Sequence, residues 1–268
     1  MASNDKNFAG AIPKIYESHL VPMIFEPYAQ DAVARLRGRS PSRVLEIAAG
    51  TGVVTRAMAR DLASDIVATD LNQAMLDEAA AKVTSRPLQW RQADAMALPF
   101  GDREFDAIVC QFGAMFFPDK VKAFAEARRV LTPGGVFLFS VWDSVEDNEF
   151  AALITDTLAS RFPNDPPRFL PRTPHGYCDR AAIARDLKGA GFASAPAIEA
   201  VAFRSRAASA QIPAVAYCQG TPLRGEIEAR DPAGLTQATD AAAAAIAKRF
   251  GAGAVDGKIQ ALVITVEA

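Results

Sequence analysis

Three carboxylates and a pair of glycines are the residues of this chain whose types and spacing could do chemistry. Glu46 lies in Val44-Leu45-Glu46-Ile47-Ala48-Ala49-Gly50-Thr51-Gly52, an apolar run that ends in a tight turn. Glycine at 50 and 52 removes the Cβ that would keep a ligand away from the backbone. Asp70 closes the next apolar run, Ile66 to Thr69. It stands about 20 residues beyond the turn, where an acid meets ribose hydroxyls in nucleotide-binding α/β folds. Two short acceptor oxygens take both hydroxyls at once, and the same oxygens would N-cap a helix starting after Leu71. Asp94, followed by Ala95 and then Leu98-Pro99-Phe100, can accept from an adenine amino group while the next N–H meets a ring nitrogen. Alone, it reads rather as a surface turn; in sequence with the other two features it does not.

The glycine spacing argues against a dinucleotide. That fingerprint needs a third glycine, and Thr55 stands in its place. An acid such as Glu46 at the end of the strand also repels a pyrophosphate, whereas it suits a ligand carrying an ammonium and a sulfonium.

The elements that must hold these residues follow from periodicity. Strands are expected at Val44 to Ala48, Ile66 to Thr69, Leu88 to Gln92, Phe105 to Cys110 and Val136 to Trp142. Helices are expected at Val53 to Leu62, Ala74 to Val83 and Val121 to Leu131, with Thr132-Pro133-Gly134-Gly135 breaking the chain before the fifth strand. Strands joined by helices of this length imply a parallel sheet covered on both faces. Further on, helices read at Glu149 to Arg161 and Ala181 to Ala190, and a strand at Ile198 to Arg204. Between these two helices lies the Pro-rich stretch Phe162 to Pro174. Residues 206–256 are mostly helical in pattern, and Ile259 to Val266 is a last strand. The first forty residues read as short amphipathic helices interrupted at Pro13, Pro22 and Pro27.

Bulk properties narrow the field. A net charge of −2 over 268 residues lacks the basic field of a phosphate-backbone binder, so no nucleic-acid partner is expected. Cys110, Cys178 and Cys218 are isolated, with only two histidines in the chain, which disfavours a disulfide framework or a metal site. The polar start, residues 1–10, lacks the pattern of a signal sequence, and no apolar run approaches the roughly 20 residues of a membrane span. A cytoplasmic location is expected.

Taken together, these stretches resemble the class I S-adenosylmethionine (SAM)-dependent methyltransferases, in particular the ubiquinone/menaquinone-biosynthesis-like (type 11) subgroup. The resemblance rests on Val44 to Gly52, Asp70 to Leu76, Gln92 to Ala95 with Leu98 to Phe100, Phe105 to Val109, and Glu126 to Gly135, in order, and covers roughly residues 40–142. One departure is Ala48, where many members have glycine. The resemblance implies a Rossmann-like, mostly parallel α/β sheet of seven strands with helices on both faces, its last strand antiparallel. Around it come a helical N-terminal lid segment (1–40), a cofactor core (41–205), a helical cap insertion (206–256) and the final core strand (257–268). It implies SAM as cofactor, S-adenosylhomocysteine as product, and no metal. By position, Glu46 and the backbone of Ala48, Gly50 and Gly52 surround the methionine part. Asp70 takes the ribose, with Leu71 and Met75 beside the adenine; Asp94 and Ala95 take its edge. Gln111 and Phe112 lie near the sulfonium, and Tyr16 closes over the cofactor.

Methyl transfer is an in-line displacement on a carbon already activated by the cofactor, so a catalytic motif is not required. A base is needed only where the acceptor must lose a proton. The candidates are His19, which faces the pocket or caps a helix; His175, expected as a solvent-exposed loop residue; and Tyr177, near the substrate mouth or simply packed. Met115 and Phe116, in the loop after the fourth strand, are expected to line an apolar acceptor site for a small, partly apolar metabolite, with O- or C-methylation favoured. Two other readings stay open: a nicotinamide-dependent oxidoreductase and a SAM-binding module without catalysis.

Overall fold

The computed structural model describes Asp5, Phe8 and residues 10–268. The remaining positions among the first nine, on which part of the expected 1–40 segment and of the signal-sequence reading falls, lie outside the described residues.

The chain begins with α1 (Ile12–Ile15), a π-helix (Tyr16–Phe25) and α2 (Glu26–Arg37). Next come β1 (Arg43–Ile47), α3 (Val53–Asp61), β2 (Asp65–Asp70), α4 (Gln73–Ala80), β3 (Gln89–Gln92), β4 (Phe105–Gln111), α5 (Lys120–Val130) and β5 (Leu131–Trp142). There follow α6 (Glu149–Arg161), α7 (Phe169–Arg172), α8 (Arg180–Gly189) and β6 (Ala197–Ala207). The chain closes with α9 (Gln211–Gln219), α10 (Leu223–Arg230), α11 (Leu235–Phe250) and β7 (Val255–Glu267).

Seven strands form one sheet in the order β3-β2-β1-β4-β5-β7-β6. The pairs β2–β3, β1–β2, β1–β4 and β4–β5 are parallel. β7 runs antiparallel to β5: the N–H of Gly134 donates to Ala268 at one end, and that of Asp143 donates to Gln260 at the other. Almost every residue of β1, β2 and β4 is buried, as a sheet covered on both faces requires. The strand order reverses between β1 and β4, the switch point at whose carboxyl ends a crevice opens in such sheets.

Two compact units share the chain. The sheet unit comprises residues 26–141, 177–200 and 262–268; the helical unit comprises the described residues up to Phe25, with 142–176 and 201–261. In the sheet unit α2 packs on α3 and α5 on α8; in the helical unit α11 packs on α6 and α9.

Two expectations need correction. The prolines do not break the N-terminal segment, which is helical without interruption from Ile12 to Arg37. Pro13 sits in a first turn, where a missing N–H costs nothing, and Pro27 is the second residue of α2, directly after the π-helix. Pro22 lies inside the π-helix, whose wider turn moves the carbonyl that its ring would strike in an α-helix. The wide turn also explains why Tyr16 stacks on Phe25, with centroids 4.9 Å apart. Residues nine apart fall on opposite faces at 3.6 residues per turn and on one face at roughly 4.5. Thr132-Pro133-Gly134-Gly135, expected as a break, instead belongs to β5. The N–H of Ala268 donates to Gly135 at 3.0 Å, and Gly134 takes φ +76°. A partner strand from the far end of the chain holds these residues extended.

Candidate functional site

β1 delivers Glu46 and then the turn, and β2 delivers Asp70 beside it. The backbone leaves β1 in left-handed conformations, with φ of +56° at Ala48, +56° at Gly50 and +82° at Gly52. Glycine adopts these freely, whereas Ala48 pays steric strain for its Cβ. Any Cβ at Gly52 would come within 2.7 Å of the Trp90 ring. A Cβ at Gly113 would fall on that of Ala48 and 2.8 Å from Cys110 Sγ. The turn after β4 is thus shaped around the alanine that departs from the usual glycine. Phe112, at its start, is also left-handed (φ +54°), and its N–H is held by the Ser140 carbonyl at 3.0 Å. Strained residues at two adjacent strand ends are a hallmark of functional loops.

Asp70 is buried, and its two oxygens do different work. Oδ1 accepts the N–H of Asn72 at 2.8 Å, opening the α4 turn, and Oδ2 accepts the N–H of Gly50 at 2.8 Å. The second bond ties the glycine turn to the end of β2. Burial pushes the Asp70 carboxyl up, and the backbone donors pull it back. Glu46 is 1% exposed and accepts a hydrogen bond from the Thr55 hydroxyl. Burial raises its pKa to about 8 against the opposing pull of Thr55 and Arg56.

Around this centre Met75 is buried, and its Cε would lie 3.6 Å from a Cβ on Gly50. Leu71 is 44% exposed, among the few large apolar side chains left open. Ala95 is buried, and Asp94 accepts the N–H of Met96 at 2.8 Å. Arg129 clamps the following segment, donating to the carbonyls of Leu98 (3.0 Å) and Phe100 (2.9 Å) while paired with Glu126 (2.7 Å). Glu126 in turn accepts the N–H of Leu98 at 2.8 Å. The sequence shows Glu126 and Arg129 only as motif letters; three residues apart on α5, they hold the Asp94 loop.

The sheet unit therefore brings Glu46, Ala48, Gly50, Gly52, Asp70, Leu71, Met75, Asp94, Ala95, Gln111 and Phe112 to the carboxyl ends of β1 to β4. Met115 and Phe116 follow in a short 3₁₀ turn, Ala114–Phe116. Tyr177 belongs to the same unit; it is buried and donates from its hydroxyl to Asp186 at 2.6 Å, with Lys120 Nζ 4.6 Å over its ring.

Tyr16, His19 and His175 belong to the helical unit. His19 Nδ1 is 2.7 Å from the Ser18 hydroxyl. His175, expected exposed, is instead buried, with Nδ1 2.8 Å from the Asp143 carbonyl. Burial lowers its pKa to about 4, so its ring is neutral near pH 7. The Trp142 ring, which no local pattern connects to it, lies nearby with its centroid 6.1 Å away.

Residues near the turn fit the implied cofactor. Glycines leave the backbone bare, and Asp70 offers carboxylate oxygens. Thr51 Oγ1 is buried and finds no hydrogen-bond partner among the described residues, so it has a bond to give. Among those residues no group of three or more metal-ligating side chains gathers, and no helix is long and apolar enough to cross a membrane.

Comparison with known proteins agrees with this geometry. Residues 45–139 match the family model described as a methyltransferase domain. The demethylmenaquinone methyltransferase of Deinococcus radiodurans is 41% identical over 107 residues, 39% of this chain and 44% of that protein. The ubiquinone/menaquinone biosynthesis C-methyltransferase UbiE of Teredinibacter turnerae is 41% identical over 106 residues, 37% of this chain and 43% of that one. The match thus spans less than half of either relative. Among solved structures, the YcgJ protein of Bacillus subtilis superposes with a TM-score of 0.57 at 18% identity, over 90% of this chain and 97% of that one. That likeness speaks to the fold.

Proposed function

We propose that the protein, whose residues 45–139 match a methyltransferase domain, binds SAM at the β1 turn as a class I methyltransferase and methylates a small, partly apolar acceptor. The observation that carries this reading is Asp70, which is buried at the carboxyl end of β2, beside β1, and bonded to the turn through the Gly50 N–H. In this reading Asp70 takes the ribose, Leu71 and Met75 flank the adenine, Asp94 and Ala95 take its edge, and Thr51 Oγ1 bonds the methionine part.

Bound SAM supplies an electrophilic methyl group on a sulfonium. The chain's own work is then alignment: rigid turns after β1 and β4 position donor and acceptor and exclude water. Neither His175, kept neutral by burial, nor Tyr177, committed to Asp186, is poised as a base. That supports an acceptor needing no strong base, and the relatives' names favour carbon as the acceptor atom.

Calorimetric titration with SAM and with S-adenosylhomocysteine tests the cofactor. Asp70→Ala is expected to weaken both at least about tenfold, as loss of a charged hydrogen-bond acceptor does. Labelled methyl transfer into a small-molecule extract then tests the acceptor. Transfer to RNA or protein instead would refute the acceptor class, and binding without any transfer would leave a SAM-binding module. If neither ligand binds and none copurifies, an NADH titration decides for the oxidoreductase.

A further inference from the structure

Glu46 and Asp70 end adjacent parallel strands, whose register pairs Glu46 with Ala68 and Ile47 with Thr69. Both carboxyl groups are buried, 1% and 7% exposed. They are not equally supported. Asp70 has a backbone N–H on each oxygen, a donor set that favours the carboxylate. Glu46 has the neutral hydroxyl of Thr55.

The groups facing Glu46 come from three elements. From α3 come Thr55 and Arg56, the latter with its Nη1 on the Thr51 carbonyl at 2.5 Å. From β2 comes Asp70, and from β4 comes Cys110, a thiol that burial pushes up to about 12 and keeps neutral. One cation and one anion oppose each other, so burial decides. With a pKa of about 8, Glu46 is mostly a neutral acid at pH 7.

We propose that Glu46 is the charge-selecting residue of this site: it holds a proton while the turn is free and yields it to water when a sulfonium ligand binds. The proposal rests on the reading of the turn as a SAM site. The Glu46 O–H bond breaks, its electron pair stays on the carboxylate and the proton leaves to bulk water. The demethylated product keeps the ammonium and lacks the sulfonium, so it drives this ionisation less. The site therefore prefers the methyl donor over its own product, and more strongly as pH rises toward the Glu46 pKa.

The test is titration calorimetry at pH 7 in two buffers of different ionisation enthalpy, with SAM and with S-adenosylhomocysteine. SAM is expected to release about 0.9 proton per site, the share still bound one pH unit below a pKa of about 8. The product should release less than half of that. Between pH 6 and 7 the SAM affinity should tighten by up to about tenfold, and the product's by less. Glu46→Gln should abolish the release. Thr55→Val, which removes the hydroxyl donor and keeps the acid, should retain it with its midpoint moved to higher pH. SAM binding with identical heats in both buffers overturns the proposal, as does release that survives in Glu46→Gln. Should that variant fail to fold, an unmoved midpoint in Thr55→Val overturns it equally. Absence of SAM binding is a different result, since it removes the cofactor reading itself.

Discussion

His175 has its imidazole buried against Trp142 and bonded to the Asp143 carbonyl, and this couples one ring to the acid stability of the protein. Its pKa is about 4 in the fold and 6.5 unperturbed, so as pH falls below 6.5 the unfolded chain takes up the proton first. The stabilisation is complete above pH 6.5 and is lost progressively down to about pH 4, a swing of about 3 kcal/mol. Melting temperatures from pH 7 to 4 should therefore fall less steeply for His175→Gln than for the parent; parallel curves would show that the ring is accessible to protons in the fold. Glu46 has the opposite sign. A buried acid with a raised pKa binds its proton more tightly folded than unfolded, so it favours the fold at low pH and opposes it as pH rises through 8.

At the scale of elements, the turns after β1 and β4 are matched to each other. Ala48 takes a left-handed φ with its Cβ in the space that Gly113 leaves empty. Ala48→Gly should stabilise the protein by about 1 kcal/mol by relieving that strain. Gly113→Ala should destabilise it by about 2 kcal/mol or more, since a new methyl meets Ala48 and Cys110. Chemical denaturation of both variants and their double mutant measures the coupling; additive effects would mean the turns are independent. The main elements around this site were legible in the sequence because each carries its own signal. The apolar runs that become β1, β2 and β4, the glycine turn and the acid at the end of β2 all emerge close to where periodicity puts them. What was hidden depends on distant partners or unusual turns. The start of β5 is extended because Ala268 pairs with it, Thr55 and Gly113 matter only for what they touch, and the π-helix follows a period that an α-helical reading does not sample.

At the scale of the molecule, the chain passes between the two units five times, and three of those passages fall inside strands β5, β6 and β7. A strand cannot fray on one side without loosening its continuation, so the two units are expected to unfold together despite their separate cores. Calorimetry should give a single transition whose measured and van't Hoff enthalpies agree; two resolved transitions would show independent units. SAM should shift that one transition upward as its concentration exceeds the dissociation constant. The packing of Trp90 against Gly52 also gives the turn an optical voice. The chain has two tryptophans, and only Trp90 belongs to the unit that carries the turn. Its half-buried indole edge lies where a Cβ on Gly52 would stand. A fluorophore so placed reports polarity and quenching at the glycine turn itself, so ligands there can be followed by native emission, without a label or a coupled reaction.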